Sequence, residues 1–100
     1  IILPKSGVSV GCGAFMLCSS LKSVIIKGDC SIETEAFVEC ENLSSIVFEG
    51  GIYNYYYGGI GDDVWDNENF SVTYKDVVYD YYDQVDFYMD INDNGGAFWS

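Results

Sequence analysis

Sixteen acidic side chains, four cysteines, nine tyrosines and no histidine are the groups from which this 100-residue chain could build chemistry. Without an imidazole there is no histidine base, and a cysteine nucleophile lacks its usual partner. Ten acids follow residue 51 and could in principle pair as acid and base. At such density a solvated face is the simpler reading, so the chain is read as non-catalytic. The sharpest local motif is Asp90-Ile91-Asn92-Asp93-Asn94-Gly95. It matches the first half of a calcium loop, in which oxygens at alternate positions converge on a hard cation and glycine permits the turn. Asp90, Asn92 and Asn94 are therefore candidate calcium ligands, although the bidentate glutamate of such a loop would fall just past Ser100. A structural turn accounts for the same residues.

Cys12, Cys18, Cys30 and Cys40 lack C-x-x-C spacing, and no histidine completes a mixed zinc site. Cysteine is among the most buried residue types, so free core thiols are expected, with disulfides as the alternative. No cofactor other than calcium is implied. Tyr53, Tyr55, Tyr56 and Tyr57, flanked by glycines, offer an aromatic surface for stacking on sugar rings or gripping a protein. The same cluster could instead complete a core.

The net charge of −12 argues against nucleic acid and anionic membrane as partners. It is uneven: residues 1–50 carry three lysines against six acids, and residues 51–100 one lysine against ten. Aromatics are skewed the same way, three against fourteen. No apolar run approaches the roughly 18 to 20 residues that cross a bilayer. The start at Ile1 and stop at Ser100 suggest a piece of a longer exported protein.

What must position these groups is a repeat. Ala14-Phe15, Cys18, Leu21, Ser23, Val24 and Ile26 recur with unchanged spacing as Ala36-Phe37, Cys40, Leu43, Ser45, Ile46 and Phe48. A period of about 20 to 50 residues marks an array in which stacked units share one core. Each unit reads as a helical turn, one short parallel strand and a return loop, with Gly28-Asp29 and Glu49-Gly50-Gly51 reversing the chain. Ile60 to Trp65 echoes Val10 to Phe15 as a degenerate unit. Beyond it, Phe70-x-Val72-x-Tyr74, Val77 to Tyr82 and Val85-x-Phe87-x-Met89-x-Ile91 suggest further strands that close the open core.

The phrase Val10-Gly11-Cys12-Gly13-Ala14-Phe15, then Cys18, Leu21, Val24 and Ile26, resembles the BspA-like leucine-rich repeat family, whose units run I-G-x-x-A-F-x-x-C-x-x-L-x-x-V-x-I-P. The second unit departs at Glu33, where the family prefers glycine, and at Glu49, where it often has proline. The resemblance covers about residues 1 to 50. It implies a horseshoe-like stack on a microbial or protozoan surface protein, used for adhesion or binding and carrying no catalytic residues. The expected fold is thus α/β: a short leucine-rich-repeat solenoid over residues 1–69 with an acidic, Tyr-rich, β-rich cap over 70–100. The expected role is recognition of a protein or glycan ligand outside the cell, without membrane insertion, the alternative being a structural spacer, calcium-stabilised or not. Lys22, Ser23, Ile25, Ser44, Ser45 and Val47, between the inward positions, are expected to meet a partner, together with the four tyrosines.

Overall fold

Short runs of β-branched and aromatic residues, each broken by glycine, aspartate or serine, form strands of two to four residues. The computed structural model describes residues 2–3, 8–10, 15, 17–55, 59–80 and 82–93. In chain order the elements are β1 (Ile2–Leu3), β2 (Val8–Val10), β3 (Ser23–Ile26), β4 (Cys30–Ile32), β5 (Ser45–Phe48), β6 (Ile52–Tyr55), α1 (Asp62–Trp65), β7 (Ser71–Tyr74), β8 (Val77–Tyr79) and α2 (Gln84–Asp93). Together they make a mixed α/β fold with mostly parallel strands and few helices. Among the described residues no helix is long and apolar enough to cross a membrane.

One sheet runs β1-β3-β5-β7-β8, parallel throughout except for the last pair. Its register follows the repeat. Val24 lies opposite Ile46 and Ile26 opposite Phe48, each pair one repeat apart, and Ile46 then faces Val72 across a longer step. The added length lies in the chain between β5 and β7, which also holds β6 and α1. In β3, β5 and β7 the second and fourth residues are buried and the first and third are not, as the two-residue strand period requires.

Two expectations are corrected here. Each unit supplies a second strand, because β2, β4 and β6 form a parallel three-stranded sheet of their own. The expected helical turn is instead a chain of single turns, with Val38 N–H donating to Glu35, Cys40 N–H to Phe37 and Leu43 N–H to Cys40. Leu17 and Glu39, equivalent positions of successive repeats, both take a left-handed φ, 62° and 61°. The turns also ladder onto one another. Phe15 N–H donates to Ala36 O (2.8 Å), Leu17 N–H to Val38 O (3.1 Å), Ala36 N–H to Gly59 O (2.7 Å) and Phe37 N–H to Ile60 O (3.2 Å). A left-handed residue between these bonds lets a tight turn present its amides sideways to the next segment, which a helical turn, bonded along its own axis, would not.

One core cluster gathers buried residues of both sheets and of the turns. Phe15 stacks on Phe37 with centroids 5.1 Å apart and planes 2° from parallel. Phe37, Leu43, Ile46, Val24 and Ile32 are fully buried. Cys30 and Cys40 are buried free thiols and Cys18 is a half-buried one; Cys12 lies outside the described residues. The Cys40 thiol donates to Phe15 O at 2.8 Å.

The C-terminal part differs most from expectation. Val85-x-Phe87-x-Met89-x-Ile91 forms helix α2, not a strand. Phe87 and Ile91, four apart and on one helix face, are buried, while Val85 and Met89 stand 67% and 59% exposed. Asp80 and Asp83 set the helix start: Asp80 Oδ1 accepts from Tyr82 N–H, Asp83 Oδ2 accepts from Asp80 N–H, and Asp83 O takes Phe87 N–H at 2.9 Å. Asp86 in the first turn suits the positive end of the helix. Phe87 then fills a pocket of rings, with centroids of Tyr79 at 5.3 Å, Trp65 at 5.4 Å and Tyr55 at 5.8 Å. β7 and β8 meet in a two-residue hairpin at Lys75 and Asp76, whose φ of 51° and 65° make it a type I′ turn.

Candidate functional site

The outward positions of the five-stranded sheet are set by the same register as the core, displaced by one residue. Ile2 pairs with Ile25, Ile25 with Val47, Val47 with Thr73 and Thr73 with Val78, so β-branched side chains form one row across all five strands. Ser23, Ser45 and Ser71 form a second row beside it. At about 4.8 Å per strand the longer row spans roughly 19 Å. Its ends are open, Ile2 at 62% and Val78 at 61% exposure, and Ile25, Val47 and Thr73 between them are half-buried.

None of these eight positions is charged. Two lysines sit at the rim, Lys22 exposed before β3 and Lys27 after it, 3.9 Å from Glu49. Ser44 is exposed but spends its hydroxyl on Lys22 O (3.0 Å), which also takes Ser44 N–H (2.8 Å), so it buttresses the face as well as bordering it. The arrangement offers van der Waals contact and hydroxyl hydrogen bonds.

Of the residues singled out in the sequence, Ile25 and Val47 are thus brought together in one row, with Lys22 and Ser44 at its border. Ser71 and Thr73 escape the sequence reading because the step from β5 to β7 is longer than the one from β3 to β5 and breaks the count of the repeat, and Ile2 and Val78 because they lie outside the two copies that carry it. The signal lies in Ser71-Val72-Thr73-Tyr74, which matches Ser45-Ile46-Val47-Phe48 as a serine, two β-branched residues, the first of them apolar, and a closing aromatic.

The tyrosines do not form one surface. Tyr53 is 46% exposed, on the bulge where β6 slips against β4. Tyr55 is a correction: it is 2% exposed, and its hydroxyl accepts from Ile60 N–H at 3.0 Å. Burial pushes its ionisation well above the ordinary phenol range. Tyr55 completes the core instead of lying on the surface. Tyr56 and Tyr57 lie outside the described residues.

The first residues of the calcium motif fall in a helix, not in the loop expected for them. Positions 90 and 92 lie within α2, and a helical backbone lacks the open loop on which alternate-position ligation depends. The Asp90 carboxylate accepts the hydroxyl of Tyr79. Asn94 lies outside the described residues. Among the described residues, no three His, Cys, Asp or Glu groups are placed to share a metal ion.

Burial raises the Cys30 thiol to about 12, with Asp29 adding to it. Burial followed by the Asp90 carboxylate raises Tyr79 to about 12. Cys40 and Tyr74 are pushed up by burial too, so all these groups stay protonated at neutral pH. Comparison with protein-family models, with curated proteins and with solved structures finds no match to this chain.

Proposed function

We propose that this chain is a non-catalytic recognition segment of the BspA-like leucine-rich-repeat kind, a short solenoid in a surface or secreted protein. It would hold a protein or glycan ligand against the outer face of the five-stranded sheet. One observation carries this reading: the uninterrupted register that lines up Ile2, Ile25, Val47, Thr73 and Val78 beside a row of serines. A row of apolar β-branched groups on a rigid sheet is pre-organised, so covering it costs little side-chain entropy and releases water from apolar area at about 25 cal/mol per Å². The adjacent hydroxyls supply direction. Adhesion outside the cell fits the repeat phrase and the strongly acidic surface, which keeps such a face from associating with other copies.

The test is Val47→Asp, which puts a charge at the middle of the row without touching the core. Binding of the wild-type chain to a glycan array and to extracellular-matrix proteins is measured beside that of the variant. Loss of a wild-type signal with an unchanged circular dichroism spectrum supports the reading. A ligand that binds both equally would refute it.

A second reading, an architectural spacer, draws on the N-terminal end of the stack. Phe15, Cys18 and Leu21 are only half-buried there, whereas Phe37, Cys40 and Leu43 at the same positions are buried. A further unit laid on that end would complete their burial, and absence of any ligand for the outer face would favour this role.

A further inference from the structure

The opposite end of the sheet is finished differently. Among the described residues β8 pairs with β7 alone and is the last strand. In a two-residue hairpin the closing pair, Tyr74 with Val77, exchanges ladder bonds, and so does Val72 with Tyr79. The amide and carbonyl of Val78 therefore point away from β7, toward the open edge. Beside that edge runs a groove of about 350 Å³ whose other wall is α2. Val77 and Met89 give it apolar surface, 50% and 59% exposed, and Asp83, Asp86 and Asp90 give it charge. Among the described residues no lysine lines it.

We propose that this edge and groove form a second docking site, distinct from the outer face, which takes an extended cationic segment as an added strand. A strand laid beside β8 alternates its side chains between the two faces of the sheet. Those on the inner side meet the aspartates of α2, and those on the outer side extend the row that ends at Val78. The segment that fits is therefore one in which lysine or arginine alternates with valine or isoleucine. Charge chooses this occupant over a second copy of the chain. Two β8 edges joined together would bring Asp83, Asp86 and Asp90 of both copies to one seam, and each copy carries a net charge of −12. The edge is only three residues long, so the ladder supplies few bonds and the acidic wall must supply much of the attraction. Binding should accordingly weaken steeply with salt.

The experiment is fluorescence anisotropy of a labelled synthetic peptide alternating lysine and valine, titrated with the full chain. Controls are a glutamate–valine peptide and a lysine–valine peptide N-methylated on alternate amides, which keeps its charge but cannot ladder. The lysine–valine peptide is expected to bind, and both controls to bind at least about tenfold more weakly, the cost of one lost charged or ladder contact set. Val78→Pro removes the outward amide at a position where an edge strand tolerates proline, and should weaken binding by a similar factor. If that variant does not fold, Asp83→Asn with Asp86→Asn keeps a side-chain oxygen to accept Asp80 N–H ahead of α2 and should weaken binding and flatten its salt dependence. Equal binding of the glutamate–valine peptide, or no effect of either set of variants, would overturn the proposal. So would loss of binding on Val47→Asp, which would move the peptide to the outer face, or self-association that depends on Val78, which would make the occupant a second copy.

Discussion

Replacing Gly50 with alanine tests the stacking of successive segments more directly than any core truncation. Gly50 does not need a left-handed conformation; what it lacks is room. A Cβ there would lie 2.4 Å from Gly28 C, 2.6 Å from Gly28 O and 2.7 Å from Asp29 N, all backbone atoms of the turn one repeat earlier. Ordinary contact is about 3.5 to 4.0 Å, so the two turns must part by roughly 1 Å. That movement strains two bonds that tie them together, Asp29 Oδ1 accepting Gly51 N–H (2.8 Å) and Gly51 O accepting Cys30 N–H (2.9 Å). Overpacking costs about 1 to 3 kcal/mol, and two weakened hydrogen bonds about 1 to 3 more. Lower entropy of the unfolded chain offsets about 0.4 to 1 kcal/mol. The expected net loss is about 1 to 6 kcal/mol, at its middle a large share of the roughly 5 to 15 kcal/mol that holds a domain folded. Gly51 is the internal control: its Cβ would meet only the Asp29 side chain, nearest atom 3.3 Å away, and the flexible carboxylate can yield. Gly51→Ala should stay within about 1 kcal/mol of wild type. Urea unfolding followed by circular dichroism compares the two. Equal midpoints for Gly50→Ala and Gly51→Ala would refute the backbone contact between neighbouring turns.

Truncating the stacked ring pair should show where the stack is closed and where it is open: Phe37→Ala, fully buried, should cost about 3 to 5 kcal/mol, and half-buried Phe15→Ala clearly less, by the same urea assay. Alkaline pH should destabilise the fold. Cys30 and Tyr79 have folded pKa values raised to about 12, so their full contribution is present below the unfolded values, 9.0 and 10.0, and is lost as pH rises from there toward about 12. A melting temperature that holds steady from pH 9 to 12 would contradict this burial. Millimolar calcium or a chelator should leave the melting temperature unchanged, since positions 90 and 92 are helical; a rise with calcium would return the ion to this segment.

The repeated phrase alone determined that Phe15 meets Phe37, and that Val24 and Ile46 are neighbours on adjoining parallel strands. Two copies agreeing in residue type and spacing leave no other way for each to bury its apolar side, so the core register and the outward positions Ile25 and Val47 were legible before any coordinates. The second sheet was not. Cys30-Ser31-Ile32 and Ile52-Tyr53-Asn54-Tyr55 are too short and too unlike one another to announce a strand, and only their parallel pairing in the fold marks them as strands. Tyr55 looked like its neighbours in a run of tyrosines. Only the fold distinguishes it, by pointing its ring at Phe87 and its hydroxyl at Ile60 N–H.

Residues 85 to 91 show the limit most plainly. Val85, Phe87, Met89 and Ile91 alternate as a strand does, yet Phe87 and Ile91 also stand one helical turn apart. Over so short a segment the two periods overlap, and local preference cannot separate them. The choice fell to the cavity among Phe48, Tyr55, Trp65, Tyr74 and Tyr79 that Phe87 fills, with Ile91 buried one helical turn on; a strand would have turned Val85 and Met89 to the same side as Phe87. That cavity is assembled from residues as far apart as 48 and 79, so its shape exists only once the chain has folded.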